Sequence, residues 1–192
     1  MDLRGKRVFM IRSYYLKGGT KMKSHWHHDH IFGVHAINGI SIAHDKTNEF
    51  LKDQQKQAKD LNYIKILKKQ DVHFEKEHCG QDKLNIVLSD IAFSDNIPLD
   101  LSGITAQIFH TVSSHSDDTT CVYVFEEKVL FLGDITRADF FDNGYMDKDR
   151  VQDLIQTIQS TDYYCCILVT VNHLRKKSFF SIWKIYSNCF LL

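Results

Sequence analysis

A single proline, nine glycines and no apolar stretch approaching the ~20 residues of a membrane span make this 192-residue chain a globular one. The same scarcity excludes collagen-like, low-complexity and linker-rich architectures. Charge of one sign is also missing. Lys+Arg and Asp+Glu both number 24, so nothing electrostatic recommends nucleic acid or a membrane surface as a partner. No CxxC pair occurs among the five cysteines, Cys79, Cys121, Cys165, Cys166 and Cys189. An odd count without paired spacing reads as reduced thiols, several of them on strands as small apolar residues. Met1-Asp2-Leu3-Arg4-Gly5-Lys6 lacks the uninterrupted apolar run of a secretory leader, so a cytoplasmic location is expected.

What the chain does have is 43% apolar residues, enough for one sizeable core, and a single domain over 1–192 is expected. Apolar runs at Val8–Ile11, Ile40–Ala43, Leu84–Leu88, Ile104–Phe109, Cys121–Phe125, Val129–Leu132 and Cys165–Val169 predict strands. Several are nearly continuous, as in strands covered on both faces. Glu126-Glu127-Lys128 is the expected turn between two of them. Ile31 to Ile37 could form a short helix. A longer one is predicted from an N-cap at Thr47 to about Lys69, where no Gly or Pro interrupts, and its polar middle places it on the outside. Asp147 to Gln159 repeats apolar residues at i, i+3, i+4 and i+7 and predicts another helix. Gln70 to Lys83, with His73, His78 and Cys79, reads as an exposed polar loop. Strands separated by helices give an α/β (α+β, four-layer) fold class.

One stretch carries chemistry: Ser24-His25-Trp26-His27-His28-Asp29-His30-Ile31-Phe32-Gly33. Four imidazoles and a carboxylate within seven residues suit zinc or a similar divalent ion, and such groups converge at a cost unless a cation lies among them. Alternate spacing sends His25, His27 and Asp29 to one side of an extended loop, and His30 enters at the turn that follows. Three later positions could complete a site. His115 lies in the small-residue loop Ser113-Ser114-His115-Ser116, with His110 at the end of the preceding strand as the competing choice. Asp134 ends a strand after Gly133, where other groups can approach closely. His173 follows the last predicted strand.

His25-x-His27-x-Asp29-His30, with its flanking Ser24 and Gly33, resembles the signature of the metallo-β-lactamase superfamily of hydrolases. The resemblance covers roughly 24–173, with 1–23 and 174–192 atypical. It implies an αββα sandwich with N-terminal strands shortened, because Lys21-Met22-Lys23 replaces the usual apolar strand. It further implies two divalent ions, zinc by preference with iron or manganese as alternatives. His25, His27 and His115 would hold one; Asp29, His30 and His173 the second; Asp134 would bridge, and Asp29 is also the candidate catalytic carboxylate. The implied activity is hydrolysis of an ester, thioester, lactone or β-lactam by metal-bound hydroxide, with a small molecule as substrate. Two other readings stay open: a metal-binding relative with weak turnover, and a mononuclear iron oxygenase using His25, His27 and His115. Asn172 stands where members usually carry glycine, and the tail could pack as a helix through Phe179, Trp183 and Tyr186.

Overall fold

The structure, a computed structural model, describes residues 14–15, 20–139, 141–168 and 174–175. The runs at Val8–Ile11 and in the tail, and His173, lie outside the described residues. Contacts gather into two compact units, Met1–Ala92 and Phe93–Leu192.

In the first unit β1 (Tyr14–Tyr15), β2 (Lys21–Met22), β3 (Ser41–His44) and β4 (Ile91–Phe93) stand in the sheet order β1-β2-β3-β4. β1 is antiparallel to β2, and β2 runs parallel to β3 with Lys21 opposite Ser41 and Met22 opposite Ile42. The lead-in to the histidine run is therefore a strand, short as expected but buried, although the sequence read its lysines as unable to supply one. Their long stems go inside and their ammonium groups end on backbone carbonyls. Lys21 Nζ donates to Ile37 O at 2.5 Å and Lys23 Nζ to Val87 O at 2.8 Å.

The helix expected from Thr47 to Lys69 is two helices, α2 (Asp45–Gln57) and α3 (Leu61–Gln70). Asp60 ends the continuity by accepting from Asn62 N as a fresh N-cap, an alternative that short polar side chains offer the backbone without any Gly or Pro. The first N-cap is His44, whose Nδ1 accepts from Lys46 N, and Thr47 is fully buried within the helix it was expected to cap. Gln70–Lys83 is not a loop throughout: Asp71 accepts from His73 N and Phe74 N and caps a further helix, α4 (Val72–Glu77). Leu51, Phe74, Ile31, Phe32 and Ile86 make the buried cluster these helices share. Leu84–Leu88, predicted as a strand, enters no ladder. Its carbonyls go instead to side chains, Ile86 O to Gln55 and Val87 O to Lys23.

The second unit holds a six-stranded sheet ordered β10-β9-β8-β7-β6-β5. β5 (Asn96–Asp100), β6 (Thr105–His110), β7 (Thr120–Val124) and β8 (Val129–Gly133) form an antiparallel meander. α5 (Lys148–Ser160) then leads to β9 (Cys165–Leu168), parallel to β8, and β10 (Leu174–Arg175) pairs antiparallel with β9. The pattern over Cys121–Leu168 matches the predicted strands and helix within a residue or two. β5 was not foreseen, and it carries Pro98 on an edge strand, where a missing N–H costs no ladder bond. Val151, Leu154 and Ile158 of α5 pack with Cys121, Tyr123, Leu130, Leu132 and Cys166 from the strands as one core.

Candidate metal centre

The histidine run leaves β2 in extended form and begins a helix earlier than expected. His27 is the N-cap, with φ −60° and ψ 143°, and α1 spans His28–Ile31. His28, Asp29 and His30 are thus on a helical turn rather than an extended loop, and His28 points away from the other two, towards Asp71. His25 is 1% exposed and His30 0%, and their ring centroids lie 4.0 Å apart; His27 meets His25 edge-on at 4.4 Å. Trp26 turns the other way, onto the Phe50 ring at 5.3 Å. Asp29 keeps about a third of its side chain exposed, with Oδ2 3.7 Å from His30 Nε2.

His28 takes no part in this group. Its Nε2 meets Asp71 Oδ2 at 2.9 Å, and its ring stands edge-on to Phe74 at 5.2 Å. Burial works to raise the Asp71 pKa, yet the bonds from His28 and from two backbone N–H groups hold it below the usual carboxylate range. His35 Nδ1 donates to Phe32 O at 2.7 Å. His78 is buried rather than in an exposed loop. Its ring lies tilted against Phe74 at 4.4 Å and its Nδ1 meets Gln81 Oε1 at 2.9 Å.

In the second unit the loop 113–119 is built from internal hydrogen bonds. Ser113 Oγ and Thr119 Oγ1 are 2.9 Å apart, and Ser116 Oγ donates to the buried Asp118 carboxylate at 2.5 Å. Arg150 of α5 ties the loop down through Ser113 O and the Asp117 carboxylate. His115 Nδ1 lies 3.0 Å from Ala138 O. A carbonyl can only accept, so Nδ1 carries the proton and Nε2 presents the lone pair, as metal-ligating imidazoles do. His110 spends its Nε2–H on Asp117 O at 2.8 Å. Asp134 follows Gly133, whose φ of +62° is a left-handed conformation that glycine adopts without strain. Its carboxylate is buried, with Arg137 Nε 3.9 Å from Oδ2.

One ligand atom from each of His25, His27 and His115 lies within 4.8 Å of the others, and all three residues are buried. Among the described residues this is the one such group of three. It brings together three of the seven sequence-predicted ligands. Asp29 and His30 adjoin each other, Asp134 lies at the end of β8, and His173 is outside the described residues. Buried imidazoles with the Asp29 carboxylate beside His30 fit a divalent ion of borderline softness. The 3.7 Å between Asp29 Oδ2 and His30 Nε2 is close to the separation of about 3.3 Å that two ligands at zinc distances subtend in a tetrahedron. Sequence reading named Ser24 only as a flanking residue. Its hydroxyl bridges two of the rings, a role that no spacing signals.

No family model matches the sequence, and no curated protein matches it. Solved structures do. A metallo-β-lactamase from Pontibacter korlensis is 14% identical at a TM-score of 0.54, over 87% of this chain and 68% of that one. An archaeal metallo-β-lactamase superfamily protein from Sulfolobus tokodaii is 16% identical at 0.61, over 88% and 67%. A double mutant of the sec-alkyl sulfatase PisA1 is 11% identical at 0.62, over 88% of this chain and 32% of that one. Identities this low speak of fold alone. With two sheets and five α-helices among its described residues and a superposition on these structures over nearly nine-tenths of its length, the chain has the metallo-β-lactamase fold.

Proposed function

We propose that the chain is a metal-dependent hydrolase acting on an ester, thioester, lactone or β-lactam. The observation that carries this reading is the group of three buried imidazoles, His25, His27 and His115, in a chain of metallo-β-lactamase fold. Those three would hold one divalent ion. Asp29 and His30, with His173, would hold a second, and Asp134 would serve both. Such ions supply an activated water near neutral pH and polarise the bond under attack. The chain's own groups orient the ligands: Ala138 O fixes the His115 tautomer and Arg150 steadies its loop, while burial of the rings keeps bulk water from the donor set.

The test is metal content after purification without chelator or added zinc, followed by a panel of thioester, lactone and β-lactam substrates. The expected result is close to two equivalents of zinc or a comparable ion, and loss of hydrolysis in both His27→Ala and Asp29→Ala. Less than half an equivalent would sink the reading. A second reading, a mononuclear iron site, would draw on the same three imidazoles, which lie together without Asp29 or His30. One equivalent of iron, with Asp29→Ala retaining it, would favour that one.

A further inference from the structure

The second unit holds a cleft of about 410 Å³ between the end of α5 and the strands β5 and β6, a size that suits a small molecule. The strand register builds one wall. Asn96 stands opposite Phe109 and Gln107 opposite Tyr123, and residues directly opposite share a face, so two amides and two rings meet there. The Tyr123 ring is fixed by its hydroxyl, which donates to Asp162 O, and by the Phe125 ring edge-on at 4.8 Å. The helix builds the other wall, and its hydroxyls have already given their protons to carbonyls. Thr157 Oγ1 donates to Asp153 O at 3.1 Å, Ser160 Oγ to Thr157 O at 2.9 Å and Thr161 Oγ1 to Thr157 O at 3.0 Å. A hydroxyl has one proton, so each of these offers a ligand lone pairs alone. α5 also ends here with no basic residue in its last turn, and the C-terminal end of a helix carries partial negative charge. The exposed Asp95 carboxylate lines the same cleft and adds a full negative charge. Among the described residues that line it there is no Lys or Arg.

We propose that this cleft binds the guanidinium group of a small molecule, with Asp95 as counter-charge, the α5 hydroxyls as acceptors and the Phe109 and Tyr123 rings as the stacking surface. The chemistry of the walls selects the ligand. Acceptors and negative charge exclude an anion. A metal ion needs ligand groups that converge, and the described residues that do so are His25, His27 and His115. A guanidinium is flat, weakly hydrated and edged with N–H donors, so it can stack on a ring while its edge meets several oxygens. An alkylammonium is a compact, strongly hydrated charge that gains less from such a surface. This site stands or falls independently of the metal reading.

The experiment titrates butylguanidinium chloride into the full ¹⁵N-labelled chain at about pH 7 and constant ionic strength, followed by backbone amide shifts. Saturable shifts are expected to gather at Asn96, Gln107, Phe109, Tyr123 and Ser160. Butylurea has the same shape without the charge and is expected to leave these signals in place, with butylammonium binding more weakly than the guanidinium. Asp95→Asn is expected to weaken binding about fivefold, the upper end for a solvent-exposed ion pair. Asp100→Asn, at the other end of β5, is the control and should bind as the parent does. Both variants should keep the parent's zinc content, whatever that is. Equal binding of butylurea overturns the proposal, as do equal losses in Asp95→Asn and Asp100→Asn, or shifts that never saturate. Butylammonium binding as tightly as butylguanidinium overturns the choice of a flat cation and the role of the rings. Guanidinium binding in a parent that carries no metal would uphold this site and count against the metal reading alone.

Discussion

Lys23 is 0% exposed, and burial, with Lys21 adding to it against the pull of Asp90, lowers its pKa from 10.5 to about 8. Below pH 8 both folded and unfolded chains hold the proton, and the full cost of a buried ammonium is present. Between about 8 and 10.5 the unfolded chain binds more protons, so stability rises with pH through that window. Unfolding by urea at pH 7.5 and 9.5 is expected to show the parent gaining about 2 kcal/mol relative to Lys23→Met, since each unit is worth ~1.4 kcal/mol. An equal pH response in both proteins would place the charge elsewhere. His78 is shifted too. Burial pushes its pKa down despite the bond to Gln81, so the unfolded chain takes up a proton first as pH falls through ~6.5, and stability is lost there. His78→Ala removes a ring packed on Phe74 and is expected to cost roughly 2 kcal/mol. Its hydrolysis, measured where the variant is folded, should match the parent, because His78 belongs to a different cluster from His25 and His27. Selective loss of turnover without loss of stability would overturn that separation.

Among the elements, α5 does two things. Its inner face supplies Val151, Leu154 and Ile158 to the core, and its first turn reaches the His115 loop through Arg150 and through Asp147 O, which accepts from Ser114 Oγ. Leu154, 1% exposed, is expected to cost about 3 kcal/mol on truncation to Ala, by transfer and cavity together. Asp147→Ala removes the side-chain acceptor of Arg150 N and is expected to cost about 1 kcal/mol. Urea unfolding of both variants checks the order. A larger loss from the cap than from the core would mean that α5 is held chiefly by its end. α2 and α3 show how weakly a sequence marks a helix break. The acceptor of Asp60 does it in one residue, while the surrounding residues remain good helix formers.

For the whole molecule, a cation that binds only the folded chain adds RT ln(1 + [L]/Kd), or about 2.7 kcal/mol at a hundred times Kd. Chelator-treated protein is therefore expected to melt lower and to recover on adding zinc. His115→Ala should lose most of that recovery, and His173→Ala less, because the group of three imidazoles is complete without the second corner. Equal losses in the two variants, read as melting shifts against zinc concentration, would show both corners to bind as one. No helix among the described residues is long and apolar enough to cross a membrane.

Residue type and spacing alone marked the histidine run, the strands β6, β7, β8 and β9 and the helix α5, because a period of 2 or 3.6 and a donor set at short range are local properties. The fold class followed from the same local patterns and from the motif. Tertiary structure decided what depends on which groups come together. It buried Lys21 in a strand and Lys23 just after it by offering their ammonium groups the carbonyls of Ile37 and Val87, sixteen and sixty-four residues away. It sent His28 to Asp71 while His25 and His30 met at Ser24. It chose His115 over His110 for the imidazole group, through which backbone carbonyl each ring found. A side chain's partners at long range are set by the packing of whole elements, and hydrophobic periodicity carries no record of them.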